Sequence, residues 1–342
     1  MAMKIMRRLL MAAAFATSFG SAAQATTTLE AVRSRGSLAC GVNTSAPGFT
    51  TLDSAGNYQG MVADLCRGLA AAVLGDANRV RFVPLTFATR FVALSSGEVD
   101  VLMLTSTHTL LRDTQLGLRF TSYYFYDGHG FLVRQDANVR RVRDLAGATI
   151  CTLQGTTNEQ ITAEYFRANN IQFNMLLFAE QEQIVQALAS GRCDSYAMDA
   201  SGLASARASL PRSSDWVILE ERFSKEPYAP VVRRGDDNWF EIVRWFVNAL
   251  IEAEERGVTR ANAEELRRST QDAGLRRLLG VAPEFGQALR LDPAWAFNAV
   301  RAIGNYGELY DRYFGPATPI AMPRSQNDLW TRGGLLYAPP FR

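Results

Sequence analysis

The sequence predicts an α/β protein built as a two-lobed clamshell. Each lobe is a sheet flanked by helices, two extended strands form the hinge, and a helical extension closes the chain. Three observations carry that prediction. Strand-like and helix-like apolar patterns alternate over residues 37–104, and the alternation restarts over 148–219, as in a sheet covered by helices. Two short extended stretches, GFLVR (130–134) and EPYAPVVRRGDD (226–237), end the two series and read as crossovers between lobes. At 342 residues, 47% of them hydrophobic, the chain exceeds the roughly 100–200 residues of one domain.

In the first series, SLACGVN (37–43), VRFVPL (80–85) and EVDVLML (98–104) read as strands. NYQGMVADLCRGLAAAVLG (57–75) carries its apolar residues on one helical face, and RFVALSSG (90–97) is a shorter helix. In the second, ATICTLQG (148–155), QFNMLLF (172–178), CDSYAMD (193–199) and WVIL (216–219) are the strands. TNEQITAEYFRANN (157–170), EQEQIVQALASG (180–191) and SGLASARASL (201–210) are the helices between them. Pro227 and Pro230 disfavour helix in the second crossover. A strong helix then covers 238–257 and stops at Gly257, before a tail of helices and Pro-containing turns. The expected order is a first lobe over 26–131, a second over 132–229, and a return to the first over 230–342.

Residues 1–25 read as a secretory signal: Lys4, Arg7 and Arg8, then the apolar run LLMAAAFATSF, then Ala23-Gln24-Ala25 as a cleavage site after Ala25. The run is shorter than the roughly 20 residues of a membrane span. The signal holds three cations and no acids, so the precursor's net charge of +2 becomes −1 once it is removed. A near-neutral chain without basic runs gives no electrostatic reason to expect nucleic acid or an anionic membrane as partner.

Cys40, Cys66, Cys151 and Cys193 fall two in each half. Export favours disulfides, and of the three possible connectivities Cys40–Cys66 with Cys151–Cys193 keeps each bridge within one lobe. Four buried free thiols are the alternative. With no CxxC spacing and only His108 and His129, zinc is not expected, nor any other metal or cofactor.

Ligands of open α/β sheets sit beyond the carboxyl ends of the strands. Three places answer to that: LMLTSTHTLLRD (102–113), QGTTNE (154–159) and Asp199. Taken singly, Arg112 reads equally as a surface cation, Asp199 as a helix N-cap, and Thr157 as a turn. Together they suit a free α-amino acid, whose carboxylate and ammonium each need a partner when buried. Arg112 offers a planar fork to the carboxylate, and backbone N–H groups at Gly155–Asn158, opening a helix, make a second anion site. Asp199 supplies the counter-charge for the ammonium, with Thr105 and Thr107 as hydroxyl and carbonyl acceptors beside it.

At these residues the chain resembles the extracytoplasmic solute-binding proteins of ABC transporters for polar amino acids, in particular the general L-amino-acid-binding subfamily of Gram-negative bacteria. The likeness spans nearly the whole chain after the signal. It includes GFTTLDSAGNYQGMVADLCRGLAAA, GEVDVL, TLLRDTQLGLRF, YFYDGHGFLVR, GTTNE, SGRCDSYAMDASGLASAR, SKEPYAPVVRRGDDNWFEIVRW, LWTRGGLLYAPPFR and a long C-terminal extension over roughly 262–342. The resemblance implies a type II periplasmic binding fold. It implies that Arg112 binds the carboxylate, Asp199 the ammonium, that Thr107 lies near either, and that Thr157 donates to the carboxylate. Phe87 falls where smaller relatives stack an aromatic on the ligand side chain, with core packing as the rival role, and Leu153 and Asn158 line the second jaw. The chain departs from the subfamily's S-R-N-T-T-W-T, reading Met103, Leu104, Thr105, Ser106, Thr107, His108 and Thr109. An arginine and a tryptophan are thus missing, and Leu104 argues against a strictly acidic side-chain preference.

The leading functional expectation is a non-enzymatic, periplasmic and monomeric binding protein. It closes on a free L-amino acid and presents it to ABC permease membrane subunits. A periplasmic dehydratase or lyase on the same clamshell is the alternative, with Glu159 and His108 as the only nearby general acid–base candidates. A sensor-type binder sharing every ligand contact is a third.

Overall fold

The computed structural model describes residues 26–342, and the expected signal segment lies outside these described residues. Two five-stranded sheets form the lobes. In the first, Leu38–Val42 pairs in parallel with Val80–Pro84 and Val101–Leu102, while Val231–Arg233 and Leu118–Phe120 extend the sheet antiparallel. In the second, Thr149–Leu153 pairs in parallel with Asn174–Phe178 and Ser195–Asp199. The same sheet continues through His129–Arg134 and Trp216–Ile218, both antiparallel.

The hinge differs from expectation in one respect. GFLVR is no crossover: it lies inside His129–Arg134, hydrogen-bonded on both sides in the second sheet. The two lobes are linked instead by Phe125–Asp127 and Glu226–Tyr228, an antiparallel ribbon in which Asp127 stands opposite Glu226. The expected strand over 98–104 is regular only at Val101–Leu102, so residues 103–109 run as an irregular segment into the cleft, buried as far as Thr107.

Helix Met61–Leu74 begins after Gly60, whose φ of 120° suits only glycine, since a Cβ there would sit 2.2 Å from the carbonyl oxygen of Phe49. Gly68 lets helix Trp295–Ile303 approach closely, with a Cβ position only 2.3 Å from Ile303 Cδ1. Helix Asp237–Glu255 is capped by Asp236, which accepts from Trp239 N–H at 3.0 Å. These helices share the largest core, built around Leu65, Leu69, Trp239, Phe246, Trp295 and Leu309.

The tail is held by charge as well as by packing. Arg324 grips Glu254 of the long helix through two nitrogens, at 2.6 and 3.0 Å. Beyond it, Asn327 takes the Tyr126 N–H at 2.6 Å and donates to the Tyr126 carbonyl at 2.9 Å, adding a rung to the first hinge strand.

Cys40 bonds Cys66 and Cys151 bonds Cys193, the connectivity favoured from the sequence, with Cα separations of 6.1 and 5.9 Å. Each bridge ties the second strand of its five-stranded sheet to a neighbouring element. They close loops of 26 and 42 residues, for which chain entropy gives about 3–4 kcal/mol each. Replacing either pair by serine should lower the unfolding free energy in urea by about that amount, and each loss should be confined to one lobe.

Candidate functional site

The sequence-predicted residues divide between those that meet in the interlobe gap and those that pack behind it. Arg112 lies on the short helix Leu110–Gln115, whose N-cap Thr109 accepts the Arg112 N–H at 3.3 Å. Its Nη1 donates to the Thr107 carbonyl at 3.0 Å, and its guanidinium lies 5.4 Å from the centre of the Phe91 ring. Burial pulls its pKa down, while the carboxylates of Glu226 and Asp199 pull the other way. The cation therefore lies within electrostatic reach of both acids.

Asp199 ends the central strand of the second sheet and is 3% exposed. Tyr228 donates its hydroxyl to Oδ2, and Oδ1 is buried with no partner among the described residues. The Tyr228 hydroxyl also lies 3.3 Å from the half-buried Asp127, so two carboxylates share one phenolic proton. Ser201 adds its N–H and hydroxyl to Asp127. Burial raises the pKa of Asp127 to about 6, and burial with the neighbouring Glu226 and Asp127 raises that of Asp199 well above the ordinary carboxylate range.

Thr107 and Thr157 come from opposite lobes and both donate to one oxygen of Glu226, at 2.6 and 2.8 Å. Glu226 is 2% exposed, and its other oxygen accepts from Ser224 at 2.6 Å. Thr105 and Phe87 line an interlobe cavity together with Asn43, Glu180, Met198 and Tyr228. At about 10 Å³, that cavity is close to the room one water needs, so the lobes are closed. The jaws touch at Gly155, where a Cβ would lie 3.1 Å from Ala88 Cα.

Leu153 and Asn158 sit further back. Leu153 is 1% exposed in the core of the second lobe, where Phe87 reaches across to join it. Asn158 is fully buried: its Oδ1 accepts from His129 Nδ1, and its Nδ2 points to Met198 Sδ at 3.6 Å. His108 stacks on Phe120 and contacts the Tyr123 hydroxyl at 2.9 Å, as a half-buried residue of the first lobe.

Sequence reasoning missed four members of this constellation: Glu226, Tyr228, Asp127 and Arg90. Arg90 is 1% exposed and held between the rings of Phe87 and Phe91, at 5.2 and 4.2 Å. Nε donates to Ser106 at 3.1 Å, and Nη1 reaches the carbonyls of Phe87 and of Gly155 across the gap. Nη2 has no partner among the described residues. Leu104 is plain core of the first lobe. A second guanidinium reaches the gap from Arg90 instead, through the Gly155 carbonyl of the opposite lobe.

His129 stands opposite Asp199 in the neighbouring strand. Donating Nδ1–H to Asn158 leaves Nε2 to accept from Thr162 at 3.2 Å, so the neutral ring fits both bonds. Burial lowers its pKa to about 4. Between pH 6.5 and 4 the unfolded chain takes up this proton while the folded one does not, so the contribution of His129 to stability falls by about 3 kcal/mol as pH drops through that window. The stability deficit of His129→Gln against the parent, measured by urea unfolding at each pH, should accordingly shrink from pH 7 to pH 4.

Comparison with known proteins places this geometry. The profile of the family described as bacterial extracellular solute-binding proteins, family 3, matches residues 38–316. The chain is 50% identical to the glutamate/glutamine/aspartate/asparagine-binding protein BztA of Rhodobacter capsulatus over 320 residues, 94% of this chain and 95% of that one. It is 44% identical to the general L-amino acid-binding periplasmic protein AapJ of Rhizobium johnstonii, over 94% and 95% of the two chains. A solved ABC transporter periplasmic binding protein from Brucella ovis, with glutathione bound, superposes with a TM-score of 0.90 at 42% identity, covering 92% of this chain and 99% of that one.

Proposed function

We propose a function for this chain from the premise that it belongs to the bacterial extracellular solute-binding proteins, family 3. It is the substrate-binding component of an amino-acid ABC transporter, taking a free L-amino acid between its two lobes and delivering it to the membrane permease. Arg112 takes the α-carboxylate, assisted by the N–H groups that open helix Thr157–Ala168. Asp199 takes the ammonium. The observation that carries this reading is the buried Asp199 Oδ1, without a partner among the described residues and within electrostatic reach of Arg112. Such an orphaned oxygen is costly until a donor reaches it, and an ammonium brings three.

Arg90 extends the proposal to the ligand side chain. Its Nη2, without a partner among the described residues, suits a carboxylate or amide at the far end of the ligand, in keeping with the ligands in the name of the Rhodobacter relative. Secretion with cleavage after Ala25, a periplasmic site of action and a monomeric state complete the reading.

Calorimetry of the purified protein against the twenty amino acids and glutathione tests it, glutathione being included because the Brucella structure holds it. Binding of acidic or amide amino acids is expected. Arg112→Ala and Asp199→Ala should each cost about 2–5 kcal/mol, because each leaves a buried charge unpaired. Conversion of the ligand during the assay would support the dehydratase or lyase alternative instead.

A further inference from the structure

We propose that Glu226 is a specificity-determining residue of the cleft. Its carboxylate takes the hydroxyl protons of Thr107 and Thr157 and so turns both hydroxyls toward the ligand's ammonium rather than its carboxylate. The inference rests on the amino-acid reading above and assigns roles within that site.

A threonine side chain owns one O–H donor and two lone pairs. Thr107 and Thr157 each spend that donor on Glu226 Oε2, at 2.6 and 2.8 Å. What either oxygen offers to a third group is a lone pair. A ligand carboxylate placed there would meet acceptors only, and the Glu226 charge behind them. An ammonium would meet two acceptors and that same favourable charge. Thr157 therefore exchanges the role implied by family resemblance, a donor to the carboxylate, for an acceptor role.

Glu226 is fixed for this task. It belongs to the hinge ribbon, paired with Asp127, and not to the second jaw that carries Thr157. Ser224 saturates its other oxygen at 2.6 Å, and only 2% of the residue is exposed. A carboxylate with three hydroxyl donors is well solvated inside the protein. Closure carries Thr157 to this fixed anion and Thr107 is already there, so the second acidic group of the ammonium end is assembled when the jaws meet.

The test separates the two ends of the ligand. Calorimetric titration is carried out with L-glutamate, or with whichever amino acid binds most tightly in the panel, and with its 2-hydroxy counterpart. The hydroxy acid keeps the carboxylate and loses the ammonium. The parent should prefer the amino acid, and Glu226→Gln should shrink that preference at least about tenfold, since a hydrogen bond to a charged group is at stake. Thr157→Val, which leaves Glu226 intact, should weaken the amino acid while leaving the hydroxy acid nearly unchanged, and it serves if the glutamine variant fails to fold. An undiminished preference in Glu226→Gln, or equal weakening of both ligands by Thr157→Val, overturns the proposal and returns Thr157 to the carboxylate. A parent that binds no amino acid at all sinks the earlier reading, and this one with it.

Discussion

Three carboxylates, the buried Asp199 and Glu226 and the half-buried Asp127, cluster where the hinge meets the two lobes. Much of the surrounding architecture follows from keeping them there. An isolated buried carboxylate is very costly, and this fold meets the cost with hydroxyls: Ser201 and Tyr228 on Asp127, Tyr228 on Asp199, and Thr107, Thr157 and Ser224 on Glu226. Hydroxyls solvate an anion without cancelling its charge. The cluster therefore stays receptive to a cation, which a set of lysine or arginine salt bridges would not allow.

The two lobes stand differently to the hinge. The first carries the large helical core, and the chain after residue 262 packs on that same body. Through Asn327 the tail also fastens the first hinge strand. Phe125 and Tyr228 are embedded in the aromatic cluster of Phe49, Tyr310 and Phe314. The ribbon is thus an extension of the first lobe, and the second lobe, pinned internally by its own disulfide, is the lighter moving part.

Much of this was legible in the residues. Strand and helix alternate because one face of each must be apolar, and that periodicity survives in the sequence, so both series of elements are found nearly where expected. Arg112 and Asp199 are legible for another reason: strand ends in such sheets face the ligand, and their charges are opposite. Arg90 and Glu226 escaped because nothing local marks them. Arg90 reads as the first residue of a short helix, and only packing between Phe87 and Phe91 turns it inward. Glu226 precedes a proline in a segment whose extended character was clear and whose partner, Asp127, lies about a hundred residues away. GFLVR was misplaced because a five-residue apolar run carries no trace of which strands flank it.

Gly155 sets a mechanical limit on the pair of jaws. With φ at +74° and the Ala88 backbone only 3.1 Å from where a Cβ would project, the contact is main chain against main chain. Any larger residue would act as a spacer wedged at the mouth, and Arg90 would lose its reach to the carbonyl on the far side. The fit at the mouth thus depends on a side chain that is missing, and even a single methyl group there would press on the backbone of the opposite jaw by a few tenths of an ångström.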